Sequence, residues 1–407
     1  MIKKICFFNN NFLGMVYFRL EVIQRFLDKG YAVSIIAPEG GNMEALKKLP
    51  KEVKRIPVKM NRTSTNPIKD VVLMCQLIKV LRAEKPIYLF NYTIKPNVYG
   101  ALAAKLLGIR CTDMIAGLGY TFTNNSLSSR IARTLYKVAG KCAEKIVVLN
   151  KDNYEAVLKA GICKEDKLHL LTGGEGVDLK RYPYYQNGSE DYKFIYIGRL
   201  IEEKGYNEFA AAAKRVLAKH QNVEFHVIGG FDLGYPRCVT KEQVERDSQE
   251  KGIIYDGSIS DMSKIYSQKG VVIVIPSYYS EGLNRSLMEG CSSGKPIITT
   301  DWPGCRETVR DGVNGYLVKP RNVESLVTAI EKYIGLSADE KENFSIASRK
   351  LAEQEFNVGS VVSYYESLAD ATVVGGAVLQ FRNKEFELGV EFARCRISTF
   401  EERRMAA

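Results

Sequence analysis

The chain has 407 residues, of which 45% are hydrophobic, 26% charged and 10% aromatic. At about 100 to 200 residues per domain, this length predicts two or three domains, each with its own core, and excludes a small scaffold held by disulfides or a metal. The composition is that of a globular chain, not a disordered, fibrous or membrane-spanning one. The net charge of +11 is unevenly placed: residues 1–180 hold 29 Lys and Arg against 15 Asp and Glu, and residues 181–407 hold 29 against 32. A basic excess confined to one half predicts an anionic partner for that half, either a membrane surface, a phosphorylated substrate or nucleic acid.

The chain opens Met1-Ile2-Lys3-Lys4-Ile5-Cys6-Phe7-Phe8 and runs at once into Asn9-Asn10-Asn11, which is too short an apolar run for a signal peptide. No segment approaches the roughly 18 uninterrupted apolar residues of a membrane span. The opening therefore reads as the first core strand of a cytoplasmic protein. The nine cysteines are scattered, without zinc or redox spacing, and read as reduced, mostly buried small hydrophobes.

Short β-branched or aromatic runs then alternate with longer helical patterns, the signature of βαβ units and parallel sheets. Strands are expected at Ile5 to Phe8, Ala32 to Ala37, Ile87 to Asn91, Lys145 to Leu149, Phe194 to Ile197, Glu224 to Ile228 and Val271 to Ile275. Helical spacing covers Phe18 to Leu27 before Gly30, and Val98 to Leu107 before Gly108. In Ser128 to Ala143, Arg133, Lys137, Lys141 and the following Lys145 recur every four residues as a cationic, membrane-facing stripe. The polar stretch Arg181 to Asp191 reads as an interdomain linker. The expected plan is α/β: residues 1–180 form one doubly wound domain and 192–355 a second, followed by a terminal helix at 356–370 that returns to the first domain and an atypical tail at 371–407. Ligands of such sheets sit beyond the carboxyl ends of the strands, so two facing domains place them in the cleft between.

Four clusters follow strands of the second half. The first, Gly198-Arg199-Leu200-Ile201-Glu202-Glu203-Lys204-Gly205, combines close backbone approach with two cations that could clamp a diphosphate. The second, Val227-Ile228-Gly229-Gly230, leaves room for a flat base. The third, Pro276 to Gly290, sets Glu281 and Glu289 eight residues apart, with Gly282 and Leu283 beside a helix N-terminus able to offer N–H groups to a phosphate. If Glu289 lies two turns into that helix, both carboxylates face the cleft. The fourth, Asp301 to Gly315, reads as a turn-rich loop and hairpin.

In order and spacing, these clusters resemble the retaining glycosyltransferases of family 4, which have the GT-B fold of two facing Rossmann-like domains; the resemblance spans about residues 1–370. It implies that Glu281 lies near the donor sugar, that Glu289 holds the nucleotide ribose, and that Arg199 and Lys204 hold the diphosphate. Gly176-Val177-Asp178 is similar to the family's turn before the linker. The first half is most similar to bacterial enzymes that extend lipid-linked or capsular glycans, through Tyr17-Phe18-Arg19-Leu20, Lys95 to Lys105 and Gly117-Leu118-Gly119. That makes Arg19, Lys95, Gly117 and Gly119 the acceptor-side candidates. The sequence departs from the family pattern in three places: only Gly14 stands where a glycine pair is common, Gly290 replaces alanine, and Asn284 replaces proline.

The expected function is transfer of a sugar from a nucleotide diphosphate sugar, with UDP favoured, to a glycan acceptor carried on a polyprenyl diphosphate. The enzyme is expected to work at the inner face of the cell membrane, with no cofactor, no metal and no nucleic acid partner. A dinucleotide dehydrogenase is disfavoured because Gly-x-Gly-x-x-Gly is missing after the first strand, and a hydrolase because no Gly-x-Ser-x-Gly elbow occurs. The alternatives kept are a UDP-sugar 2-epimerase of the same fold and a non-catalytic sugar-carrier binding subunit.

Overall fold

The structure is a computed structural model that describes residues 2–40, 43–61, 66–117, 127–189 and 191–374. Gly119 and the tail beyond 374 lie outside the described residues. Seven strands form the first sheet: β1 Lys4–Phe8, β2 Ala32–Ala37, β3 Lys54–Pro57, β4 Tyr88–Tyr92, β5 Arg110–Ile115, β6 Lys145–Val148 and β7 Leu168–Leu170. They run in the order β3-β2-β1-β4-β5-β6-β7, and every pairing is parallel. Six more form the second: β8 Tyr192–Ile197, β9 Val223–Ile228, β10 Ile253–Gly257, β11 Val271–Ile275, β12 Ile297–Thr300 and β13 Gly315–Val318. These are parallel in the order β10-β9-β8-β11-β12-β13.

Helices cover both faces of each sheet, so the central strands are buried on both sides and read as unbroken apolar runs, as in Val271–Ile275. In both sheets the strand order reverses next to the first strand, at β1/β4 and at β8/β11. Those two switch points leave crevices at the carboxyl ends of the strands, which is where the loops carrying the candidate residues emerge.

All seven expected strands are present. Among the described residues six others were not anticipated, and for two of them, β5 and β13, the physical reason is plain. Thr112 and Asp113 interrupt β5 but are buried inside the sheet, where Thr112 bonds Tyr88 and Asp113 bonds Asn91. β13 begins at Gly315 within the expected hairpin, because a side chain there would meet the Ile297 carbonyl and so only glycine lets that strand close on β12. The expected helix from Phe18 to Leu27 is two helices, Leu13–Phe18 and Leu20–Asp28. The break is Arg19, whose φ of −133° leaves the helical range as its side chain turns into the protein.

Residues 171–178 and 355–358 cross between the two sheets side by side: Val177 N–H donates to Phe356 O at 2.7 Å, and Val358 N–H to Val177 O at 3.1 Å. The final helix, Val358–Val374, packs on Leu20–Asp28, and its Val361, Tyr365, Leu368 and Ala369 join the core of the first sheet.

Candidate active site

A cleft of about 470 Å³ lies between the two switch points. The first sheet contributes Asn9, Asn10, Asn11 and Gly14 after β1, and Tyr92 and Thr93 after β4; the second contributes Gly198, Arg199 and Lys204 after β8, and Glu281 to Ser286 after β11. Residues far apart in sequence meet here because a doubly wound sheet delivers successive loops to one edge.

Glu281 stands at the centre. Lys204 Nζ donates to Glu281 Oε2 at 2.7 Å, and Asn284 Nδ2 to Oε1 at 3.0 Å. Both cation and carboxylate are largely buried, so their attraction is weakly screened. Asn284 also caps the helix Arg285–Ser292, accepting from Leu287 N–H. Its departure from proline therefore adds a donor to Glu281 that proline lacks. Arg199 is partly exposed: it pairs with Asp232 at 2.8 Å, and its guanidinium carbon lies 5.2 Å from the ring centre of Tyr279. Lys204 approaches the same ring at 5.3 Å. The two expected diphosphate ligands thus converge on one aromatic face and line the cleft.

Glu289 differs from expectation. It sits in the second turn of its helix, buried, and is not among the residues lining this cleft. Arg285, which does line it, donates from Nε to Glu289 Oε1 at 3.0 Å and from Nη1 to the Gly176 carbonyl at 3.1 Å. Burial opposes the charge of Arg285, and Glu289 more than offsets it, holding the guanidinium pKa above its usual range. Burial, and then the charge of Glu289, push the phenols of Tyr182 and Tyr266 upward. Gly229 and Gly230 follow β9 outside the cleft lining, and the reason for a glycine at 229 is packing, since a side chain there would meet the Gly198 carbonyl.

On the opposite wall, Arg19 lines the cleft but is buried. It pairs with Glu175 and lies 4.2 Å from the centre of the Tyr92 ring. Glu175 is flanked by Gly173, Gly174 and Gly176, all at positive φ, a conformation glycine adopts without strain. Lys95, expected on the acceptor side, pairs its ammonium with Asp70 of the helix Pro67–Glu84 and is not among the residues lining this cleft. Gly117 packs on the backbone of Glu281, where a side chain would come within 3.1 Å of its Cα. Lys145 opens β6 and donates to the Asp166 carbonyl, so the part of the stripe on the helix Leu127–Cys142 ends at Lys141.

Sequence reading missed four participants. Arg285 and Glu175 carry no motif of their own beyond the glycines around Glu175. Asn150 has a helix-cap signal in Asn150-Lys-Asp-Asn153, and its second role needs the other domain. Thr93 stands at φ 72° with its hydroxyl buried and unbonded among the described residues. Strain of this kind in a β-branched residue concentrates at functional sites.

The fold agrees with known proteins. Residues 185–351 match the family described as glycosyl transferases group 1, and residues 4–150 match glycosyl transferase 4-like; together these take in more than half of the chain. An N,N'-diacetylbacillosaminyl-diphospho-undecaprenol alpha-1,3-N-acetylgalactosaminyltransferase of Campylobacter jejuni is 26% identical, over 91% of this chain and 99% of its own length. A UDP-Gal:alpha-D-GlcNAc-diphosphoundecaprenol alpha-1,3-galactosyltransferase of Escherichia coli is 24% identical over 65% of this chain and 70% of its own. Among solved structures, a glycosyltransferase from Rickettsia africae superposes with a TM-score of 0.74 at 18% identity, covering 91% of this chain and 99% of that one. With both halves matched in order and the cleft built at their facing switch points, the chain belongs to the family 4 glycosyltransferases and has their GT-B fold.

Proposed function

We propose that the protein is a retaining transferase that moves a sugar from a UDP-sugar to a glycan carried on a polyprenyl diphosphate, at a membrane surface. The observation that carries this reading is the convergence of Arg199, Lys204 and Glu281 on one wall of the cleft, opposite the asparagine loop and Thr93. An acceptor hydroxyl oxygen forms the new bond to the anomeric carbon as the bond from that carbon to the diphosphate oxygen breaks. The hydroxyl proton passes to the departing diphosphate, on the same face of the sugar. Negative charge grows on the leaving group, so the two preorganised cations stabilise the transition state more than the bound donor. Glu281 neutralises Lys204 before the donor arrives and orients it afterwards. The reading assigns the reaction no metal and no cofactor.

The acceptor class is supported by the Campylobacter and Escherichia relatives, whose names specify undecaprenyl-diphosphate substrates. UDP is supported by the Escherichia relative's donor and by HepE of Anabaena, a structure solved with UDP and glucose that has a TM-score of 0.71. Membrane attachment is supported by the first domain's outer helices. Pro67–Glu84 exposes Ile68, Val71 and Val72, and two helices along, Leu127–Cys142 exposes Ile131 and Val138. Beside them Arg130, Arg133, Lys137 and Lys159 line a basic groove of about 570 Å³. Among the described residues, no helix is long and apolar enough to cross a membrane.

The test is a screen of UDP-sugars against undecaprenyl-diphosphate-linked mono- and disaccharides, with the product's anomeric configuration read by NMR. Transfer with an inverted product overturns the retaining assignment. Conversion of a UDP-sugar without any acceptor identifies an epimerase instead.

A further inference from the structure

Glu281 and Gly282 are held from both sides of the cleft. From their own domain come Lys204 and Asn284 on the carboxylate. From the other domain comes Asn150, at the end of β6, which is buried. Its Nδ2 donates to the Gly282 carbonyl at 2.6 Å and to the Glu281 carbonyl at 3.0 Å, while its Oδ1 accepts from Asn153 N–H at 2.8 Å and caps the helix Lys151–Lys159. The amide therefore has both N–H bonds on the opposite domain and its oxygen on its own. The fit around this contact is tight: a side chain at Gly282 would come within 2.2 Å of the Ala116 carbonyl.

We propose that Asn150 is a positioning residue that latches the first domain onto the Glu281–Gly282 backbone, so that the catalytic carboxylate is aimed only when the cleft is closed. The donor-side residues Arg199, Lys204 and Glu289 all belong to the second domain, and their pairings with Asp232, Glu281 and Arg285 lie within it. Glu281 differs because its two backbone carbonyls are fixed from outside its own domain. A small rotation there moves the carboxylate relative to Lys204, and misplacement of about 1 Å at a reacting centre costs on the order of a hundredfold in rate. The latch thus separates donor binding, which needs one domain, from turnover, which needs both. This inference rests on the assignment of Glu281 to the reacting end of the cleft.

The test uses Asn150→Ser and Asn150→Asp in the full chain. Both keep an oxygen that can cap Lys151–Lys159, and both lose the amide that bridges the domains. UDP affinity is measured by calorimetry, and turnover by UDP release from whichever of UDP-galactose, UDP-N-acetylgalactosamine and UDP-glucose the wild type uses. The expected result is UDP affinity within about twofold of wild type, an unchanged unfolding midpoint, and kcat lower by about ten- to a hundredfold. Wild-type kcat in both variants overturns the latch. So does a parallel loss of kcat, UDP affinity and unfolding midpoint, which marks a helix cap and nothing more. Glu281→Gln run alongside separates the two levels: if it is inactive while the Asn150 variants are normal, the latch fails and the site assignment stands; if it too is normal, both fall.

Discussion

Lys204 Nζ and Glu281 Oε2 lie 2.7 Å apart, although 77 residues separate them in sequence. The lysine follows β8 and the glutamate follows β11, strands that pair side by side at the switch point of the second sheet. The cation assigned to the diphosphate is therefore matched to the carboxylate assigned to the sugar by the packing of those two strands.

Removing either cation should slow the chemical step. Lys204→Ala or Arg199→Ala is expected to lower kcat by about 10² to 10³, roughly 3 to 4 kcal/mol, because the leaving diphosphate carries more charge in the transition state than in the bound donor. Arg199→Lys should recover only part, since an ammonium cannot reproduce bidentate phosphate contact. Steady-state kinetics with and without EDTA check this: activity abolished by chelator and restored by manganese, with Arg199→Ala near wild type, contradicts the assignment.

If the donor ribose reaches Glu289 past Arg285, Glu289→Gln should mainly raise the donor KM, by about 10- to 100-fold for the loss of a hydrogen bond to a charged group. kcat should change little, because ribose contacts are the same in ground and transition states. Glu281→Gln should do the reverse. The glutamine at 289 can still accept from Arg285, so a shared unfolding midpoint is the control that separates lost ribose binding from a disturbed ion pair. An unchanged KM in Glu289→Gln refutes the ribose role.

Membrane attachment should depend on the helix and not on the strand. Replacing Arg133, Lys137 and Lys141 by alanine should remove about 1 kcal/mol each of attraction to an anionic leaflet, and added salt should mimic the effect. Lys145→Ala should cost less than loss of a helix cation, since its ammonium donates to the Asp166 carbonyl at the start of β6, off the helix. Val71→Ser on the exposed face of Pro67–Glu84 should weaken binding without changing its salt dependence. Liposome flotation reads all three, and indifference to anionic lipid content overturns the proposal.

Lys295 makes stability depend on pH. Its ammonium is buried against Asn187 Oδ1 at 2.8 Å and the Gln268 carbonyl at 2.9 Å, and burial pushes its pKa down to about 7. The unfolded chain has the ordinary value near 10.4 and so holds more protons between those limits. Stability should therefore rise with pH from about 7 toward 10, the burial penalty being complete below pH 7. The difference in unfolding midpoint between wild type and Lys295→Met should grow in favour of wild type over that range. A constant difference would show that the lysine does not titrate there.

The sequence by itself determined the α/β class, the seven strands read from β-branched or aromatic runs, and the loops that carry Arg199, Lys204 and Glu281. Each of those rests on a local pattern: a buried parallel strand must be apolar on both faces, and the turn after it must hold glycines and polar groups. Strands β5 and β13 escaped because their polar or glycine residues make sense only beside Tyr88, Asn91 and Ile297, which are distant in sequence. Tertiary structure alone decided which candidate faced the cleft. It placed Lys95 on Asp70 and Lys145 in a strand, and put Arg285 between Glu289 and the cleft wall. It also supplied the long-range contacts, Arg19 with Glu175 inside the first domain and Asn150 with Gly282 between the domains, which span 156 and 132 residues. No periodicity encodes such pairs, because their partners are chosen by how two separately folded sheets come to face one another.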